Sequence, residues 1–249
     1  MSKKRMIDYT WAELREKSAA PLLAVLPVGS VEQHGLHAPL GTDLFIAEAT
    51  AATLDLDRTV LLPAVPVGVS EYHRDFFGSL WVSPEVLKLY VGGIVKSLKY
   101  HGIDHVLIVN GHGGNREPLR EMARYLQLEG DYHVYVWTWF EAIEAQIIEI
   151  FGRRPPLHAD EAETAMLMAI NASLVHPDQF KASTQGSSPV WGKFIEGTLA
   201  SQVVKDFSQS GATGDPTQTD LEIGRTLLRL SIDNLHRFSE HILNEAHSR

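Results

Sequence analysis

PLLAVLPVGSVEQHGLHAPLGTD, residues 21–43, is the stretch that decides the fold. Its first part, PLLAVLPV (21–28), is an apolar run with the length and branching of a buried strand. The segment after it places Glu32, His34, His37 and Asp43 in a short turn-rich loop. Side chains at i and i+2 of an extended segment point to one side, so Glu32 and His34 can face one ligand. Asp43 follows a Pro-Leu-Gly turn and opens a helical pattern. Two carboxylates and an imidazole at a strand's carboxyl end suit a divalent cation such as Zn or Mn. Taken alone, such a loop reads more often as solvated polar groups than as ligands.

A second strand end raises the metal reading. Residues 105–111, HVLIVNG, are aliphatic and β-branched, as a strand covered on both faces must be. His112 comes next, Gly113 and Gly114 permit a tight turn or a close approach to a ligand, and Asn115 is expected to N-cap the helix that follows. Parallel sheets bind ligands beyond the carboxyl ends of their strands, so the two strand ends should lie together. A third cluster, HADEAETAM (158–166), puts His158 before a helix whose first turn holds Asp160, Glu161 and Glu163. The helix dipole accounts for some of these acids. Glu163, leading into the apolar Ala165–Ile170, needs a charged partner or a metal, whereas Glu161 stays open between the two roles.

The remaining pattern alternates. Strands are expected at 22–28, 59–67, 105–110 and 132–138, and helices at 43–54, 84–100, 115–128, 139–151, 160–172 and about 217–246. The expectation is an α/β fold in three α/β/α layers with a mainly parallel central sheet, and one domain over residues 1–249, since no linker or repeat divides the chain. Apolar residues make up 44%, enough for a substantial core, and no apolar run nears the roughly 18 residues of a membrane span. The MSKKRMID start lacks the apolar core of a signal peptide, which implies a cytoplasmic protein. With no cysteine, disulfides, thiolate ligands and a cysteine nucleophile are excluded. A net charge of −9 argues against nucleic acid. Residues 191–211 are hard to read: a lid, an oligomer contact or a surface excursion.

These motifs resemble those of the creatininase (creatinine amidohydrolase) family: an E-x-H-G-x-H-x-P-x-x-T-D loop at Glu32–Asp43, a GH-x-x-N turn at Gly111–Asn115 and an HAG-x-x-ET helix start at His158–Thr164. VGVSEYHRDFFGSL (67–80) and SGATGDP (210–216) are similar to two weaker family segments. The resemblance implies a creatininase-like hydrolase with two divalent ions per chain (Zn, Mn or Fe): Glu32, Asp43 and His112 on one, His34 and a bridging Asp43 on the other. It also implies a small-molecule substrate and a homo-oligomer, commonly a hexamer. The chain departs from the family at Gly114, where creatininase itself has a metal-binding glutamate, so Glu163 becomes the candidate replacement. Asp160 stands for a family glycine and Ser79 for a threonine.

The implied chemistry is attack by a metal-activated water on a small amide, cyclic amide or formamide. His158 is expected to pass a proton to the leaving nitrogen, though a surface histidine flanking a helix would read the same. Ser70, Tyr72 and His73, with Gly113 and Gly114, are expected substrate contacts. Trp137 and Trp139 are expected either to wall the pocket or to be core. The alternatives are a non-catalytic metal- or ligand-binding relative, favoured by Gly114, and a hydrolase of a non-amide ring.

Overall fold

The computed structural model describes residues 5–54, 57–153 and 158–247. The first four residues and the Pro-Pro pair before His158 lie outside them. Four strands, β1 (Leu23–Val28), β2 (Thr59–Leu61), β3 (His105–Asn110) and β4 (His133–Thr138), form a parallel sheet in the order β2-β1-β3-β4. Leu23 pairs with His105 and Val28 with Asn110, so the two central strands end level. Every residue of β1 is buried because both of its faces are covered. Ala24, Leu26, Val28, Val106 and Ile108 pack against α3 (Pro84–Tyr100) and α4 (Arg116–Glu129). Leu23, Val25, Leu107 and Val109 face the opposite core, with α2 (Thr42–Ala51), α7 (Glu161–Asn171) and α9 (Leu221–His247). The result is the expected three layers.

Local chemistry sets the helices. Ser83 accepts the Val86 N–H at the start of α3, with Pro84 in its first turn, and Leu87, Val91, Val95 and Leu98 form its buried stripe. Asp160 caps α7 through the N–H groups of Ala162 and Glu163. The short helices α1 (Trp11–Lys17), α5 (Trp139–Ala142), α6 (Glu144–Phe151) and α8 (Phe180–Gln185) complete the helical set with them.

Three expectations are corrected. The strand foreseen over 59–67 stops at Leu61, because Pro63 and Pro66 have no N–H to offer a ladder, and only an isolated bridge joins Val65 to Val28. The helix foreseen over 139–151 breaks at Ile143, whose backbone (φ −124°, ψ 24°) leaves the helical region while its side chain is buried. Asn115 precedes α4 but makes no cap; its amide accepts from Val69 N at 2.9 Å and donates to Gly29 O at 2.9 Å. It ties together the loops that follow β1, β2 and β3. Residues 191–211 contain an exposed antiparallel hairpin, β5 (Lys193–Ile195) and β6 (Thr198–Ser201).

Candidate metal centre

The loops after β1 and β3 and the start of α7 converge beyond the carboxyl edge of the sheet. Asp43, in the first turn of α2, lies between two histidines. Its Oδ1 is 3.3 Å from His34 Nε2 and its Oδ2 3.1 Å from His112 Nδ1. Glu32 Oε2 is 3.2 Å from His112 Nε2, and Glu163 Oε2 is 3.4 Å from His34 Nε2. Glu163 is held there by the Ala159 N–H at 2.6 Å. That N–H is aimed by an unusual backbone, since Ala159 has φ +48°, a strained value for a residue with a side chain. The Thr213 N–H and hydroxyl fix the His158 carbonyl at 2.9 and 3.1 Å, so the glycine turn near residue 211 underpins the site.

All of these side chains are buried, including three carboxylates. Among the described residues, no Lys or Arg pairs with Glu32, Asp43 or Glu163; every ionic contact they make is to a histidine. Burial works against charge on His112, yet the carboxylates of Glu32 and Asp43 outweigh it and raise its pKa to about 9. His34 is raised in the same way against its burial by Glu163 and Asp43, and Asp43 is held below its ordinary value by His34 and His112 despite desolvation. Glu163 is pushed up by burial. Glu32 Oε1, Asp43 Oδ2, His34 Nε2 and His73 Nε2 have no hydrogen-bond partner. Buried ionic groups left with open lone pairs are expensive unless a cation completes them. The donor set of imidazole and carboxylate, with no thiolate, suits Zn, Mn or Fe. Glu32, Asp43 and His112 offer donor atoms within 4.8 Å of one another, as do His34, His158 and Glu163, and Glu32, His73 and His158.

The cluster lies at the floor of a cavity of about 690 Å³, a size suited to a small molecule. Tyr72, His73, Gly113, Gly114 and His158 line it, and Ser70 does not. Ser70 is fully buried, donating to Leu80 O at 2.9 Å, and its oxygen lies 3.1 Å from that of Ser30, whose one proton goes to Glu32 at 2.8 Å. It steadies Glu32 from behind. Trp137 and Trp139 are core, Trp137 donating to Asn234 at 2.8 Å. The aromatic wall comes instead from Phe140 and Trp191. Trp191 packs edge-on to Tyr72 and His158 at centroid distances of 5.5 and 5.8 Å, and it belongs to the segment that was hardest to read. His37 is elsewhere: its ring nitrogens meet Ser183 and Thr164 at 2.9 and 2.8 Å, tying α8 to α7.

Two further residues carried no motif signal. Gln33 Nε2 lies 2.7 Å from His73 Nδ1, 2.8 Å from His158 Nε2 and 3.0 Å from Gly211 O, so its two protons serve three acceptor positions and orient both rings. Arg116 lines the cavity as its single Lys or Arg among the described residues. Gly114 has a steric reason. A Cβ there would collide with the Tyr72 hydroxyl and the Val69 carbonyl and come 2.7 Å from His112 Nε2. Tyr72 fills the space a side chain at 114 would need, with its hydroxyl 3.3 Å from His112 Nε2.

The family model described as creatinine amidohydrolase matches residues 7–239. The chain belongs to the creatininase family. As a member of the creatininase family it is a metal-dependent hydrolase. It is 29% identical over 224 residues to the mycofactocin precursor peptide peptidase of Mycobacterium tuberculosis, covering 86% of this chain and 82% of that one. Two creatininase structures, one of Zn-Zn type and one with Mn, superpose with TM-scores of 0.79 over 97% of this chain and 99% of theirs, at 20% and 18% identity. This likeness shows the shared fold.

Proposed function

We propose that the chain is an amidohydrolase cleaving a carbon–nitrogen bond of a small amide, cyclic amide or formamide. In this reading Glu32, Asp43 and His112 hold one divalent cation, and His34, Asp43 and Glu163 hold a second. The observation that carries it is Asp43. Its two oxygens face two different histidines at 3.3 and 3.1 Å, as a bridging carboxylate requires, in a buried site whose acids pair with no Lys or Arg among the described residues. Gly114 offers no ligand, and Glu163 stands beside His34 in its place.

A pair of divalent cations bound there supplies polarisation of the amide carbonyl and a water acidic enough to attack at neutral pH. The chain's own groups do the rest. In this reading His158, held neutral by burial and by the neighbouring His73, His34 and His112, is the residue that carries a proton to the leaving nitrogen. Gln33 fixes the plane of its ring. Tyr72, half-buried and beside Glu32, Asp43 and Glu71, keeps its phenolic proton and presents a hydrogen-bond donor to the cavity. Phe140 and Trp191 give the cavity an aromatic wall. The same reading includes a homo-oligomer, supported by the exposed Phe77, Leu80, Trp81, Leu89 and Tyr90.

Elemental analysis of protein purified without chelator tests the assignment. Two metals per chain are expected in the parent, one in Glu163→Ala, and two with turnover lost in His158→Gln. Two metals retained in Glu163→Ala would remove Glu163 as a ligand. A drop to one in His158→Gln would make His158 a ligand in place of a proton carrier.

A further inference from the structure

Arg116 opens α4, a helix of 14 residues, and its guanidinium is poorly satisfied. Its Nε is buried with no hydrogen-bond partner. Its other nitrogens reach carboxylates only at long range, Glu141 at 3.5 Å and Glu117 at 3.8 Å. Glu141 is already neutralised by Arg120 at 2.7 Å, and the Glu117 side chain is 75% exposed. A structural arginine looks different: Arg120 has its close partner, and Arg153 is paired directly with the buried Glu161.

A guanidinium has five N–H donors in a fixed fork suited to two oxygens of one anion. The start of α4 adds the positive end of a helix dipole. Gly113, also lining the cavity, leaves open space beside it, since an added Cβ would meet nothing within 4 Å. The chain as a whole carries −9, and the remaining ionisable lining groups are carboxylates, histidines and Tyr72. Among the described residues, an anion entering this cavity therefore has one guanidinium or ammonium group to meet.

We propose that Arg116 binds an oxyanion of the substrate, so that the preferred substrate is an amide bearing a carboxylate or phosphate group a few bonds from the scissile bond. The amide carbonyl then lies over Asp43 and His112 while the anionic end lies against the first turn of α4. This deepens the amidohydrolase reading and rests on it for the identity of the reacting group. Arg116 is a specificity determinant and takes no part in bond breaking.

Calorimetric titration of the metal-loaded protein tests this with three probes: succinamate, its neutral analogue succinamide, and 3-phosphonopropionamide. Succinamate should bind at least about tenfold more tightly than succinamide, the scale of one charge-assisted hydrogen bond. Arg116→Gln should abolish the preference, and Arg116→Lys should retain part of it. Either ranking of the two anions supports the proposal and names the oxyanion. Equal binding of succinamide and succinamate, binding of none of the three, or a preference that survives in folded Arg116→Gln would overturn it. Hydrolysis is read separately. Cleavage of succinamide as fast as succinamate would leave the hydrolase and remove the anion preference; Arg116-dependent binding with no amide cleaved would do the reverse.

Discussion

Gly114→Ala offers a sharp test of how the centre is packed, because its neighbour provides an internal control. At 114 the new methyl would overlap the Tyr72 hydroxyl and the Val69 carbonyl and crowd His112 at 2.7 Å. The Tyr72 side chain can swing aside, but the Val69 carbonyl is backbone, held in place because the Val69 N–H is bonded to Asn115. Overpacking against such a wall costs about 1–3 kcal/mol, and the rigid contact puts this variant at the upper end. For a chain of this size that corresponds to a fall in Tm of roughly 4–10 °C. Gly113→Ala places its methyl in open space and should lie within about 0.5 kcal/mol of the parent. Thermal and urea unfolding of both variants, with metal content fixed, is the assay. Adding Tyr72→Phe to Gly114→Ala should recover part of the loss and leave the share due to Val69. Equal stability of the two alanine variants would refute the steric account of Gly114, and with it the idea that Tyr72 and Gly114 are a matched pair.

Asn115→Ala strands two buried backbone groups, Val69 N–H and Gly29 C=O, and should cost about 2–5 kcal/mol by chemical denaturation. His37 is held neutral by burial, with its pKa lowered from 6.5 to about 3, so its contribution is complete above pH 6.5 and is lost as pH falls towards 3. The stability gap between the parent and His37→Gln should accordingly shrink by about 2 kcal/mol between pH 7.5 and pH 5, and an unchanged gap would contradict the burial argument. Because Glu32 and Asp43 raise His112 to about 9, a metal that takes this ring must displace a proton at neutral pH. Titrating Zn into metal-free protein in buffers of different ionisation enthalpy should show proton release that fades as pH approaches 9.

Most of the scaffold was legible because it depends on local chemistry. The β-branched runs of β1 and β3, the Ser83-Pro84 start of α3 and the stripe from Leu87 to Leu98 each contain their own explanation. What failed was set by partners distant in sequence. Asn115 looks like a cap until the loops at Gly29 and Val69 arrive to claim its amide. Ser70 looks like a loop hydroxyl until Ser30 and Leu80 bury it. In the candidate site, Glu32, His34, Asp43, His112, His158 and Glu163 could be picked out because they fall in three motifs that resemble those of the creatininase family, and the structure brings all six together. Gln33 and Trp191 act through orientation and packing, which residue type alone does not disclose. Arg116 was hidden by its position in an ordinary helix, and only the unshared Nε marks it.

The order in which the acids and bases occur along the chain bears on how the protein is made. Glu32 and Asp43 leave the ribosome first, His112 some seventy residues later, and His158 with Glu163 later still. β3, which must settle beside β1 to bring His112 to Asp43, is also the strand that completes the middle of the sheet. Until then the nascent chain carries its early carboxylates in water, where they cost nothing. Closing the sheet and confining the negative charge are one event, so under the two-cation reading proposed above divalent ions are expected to raise the yield of folded protein as well as its activity.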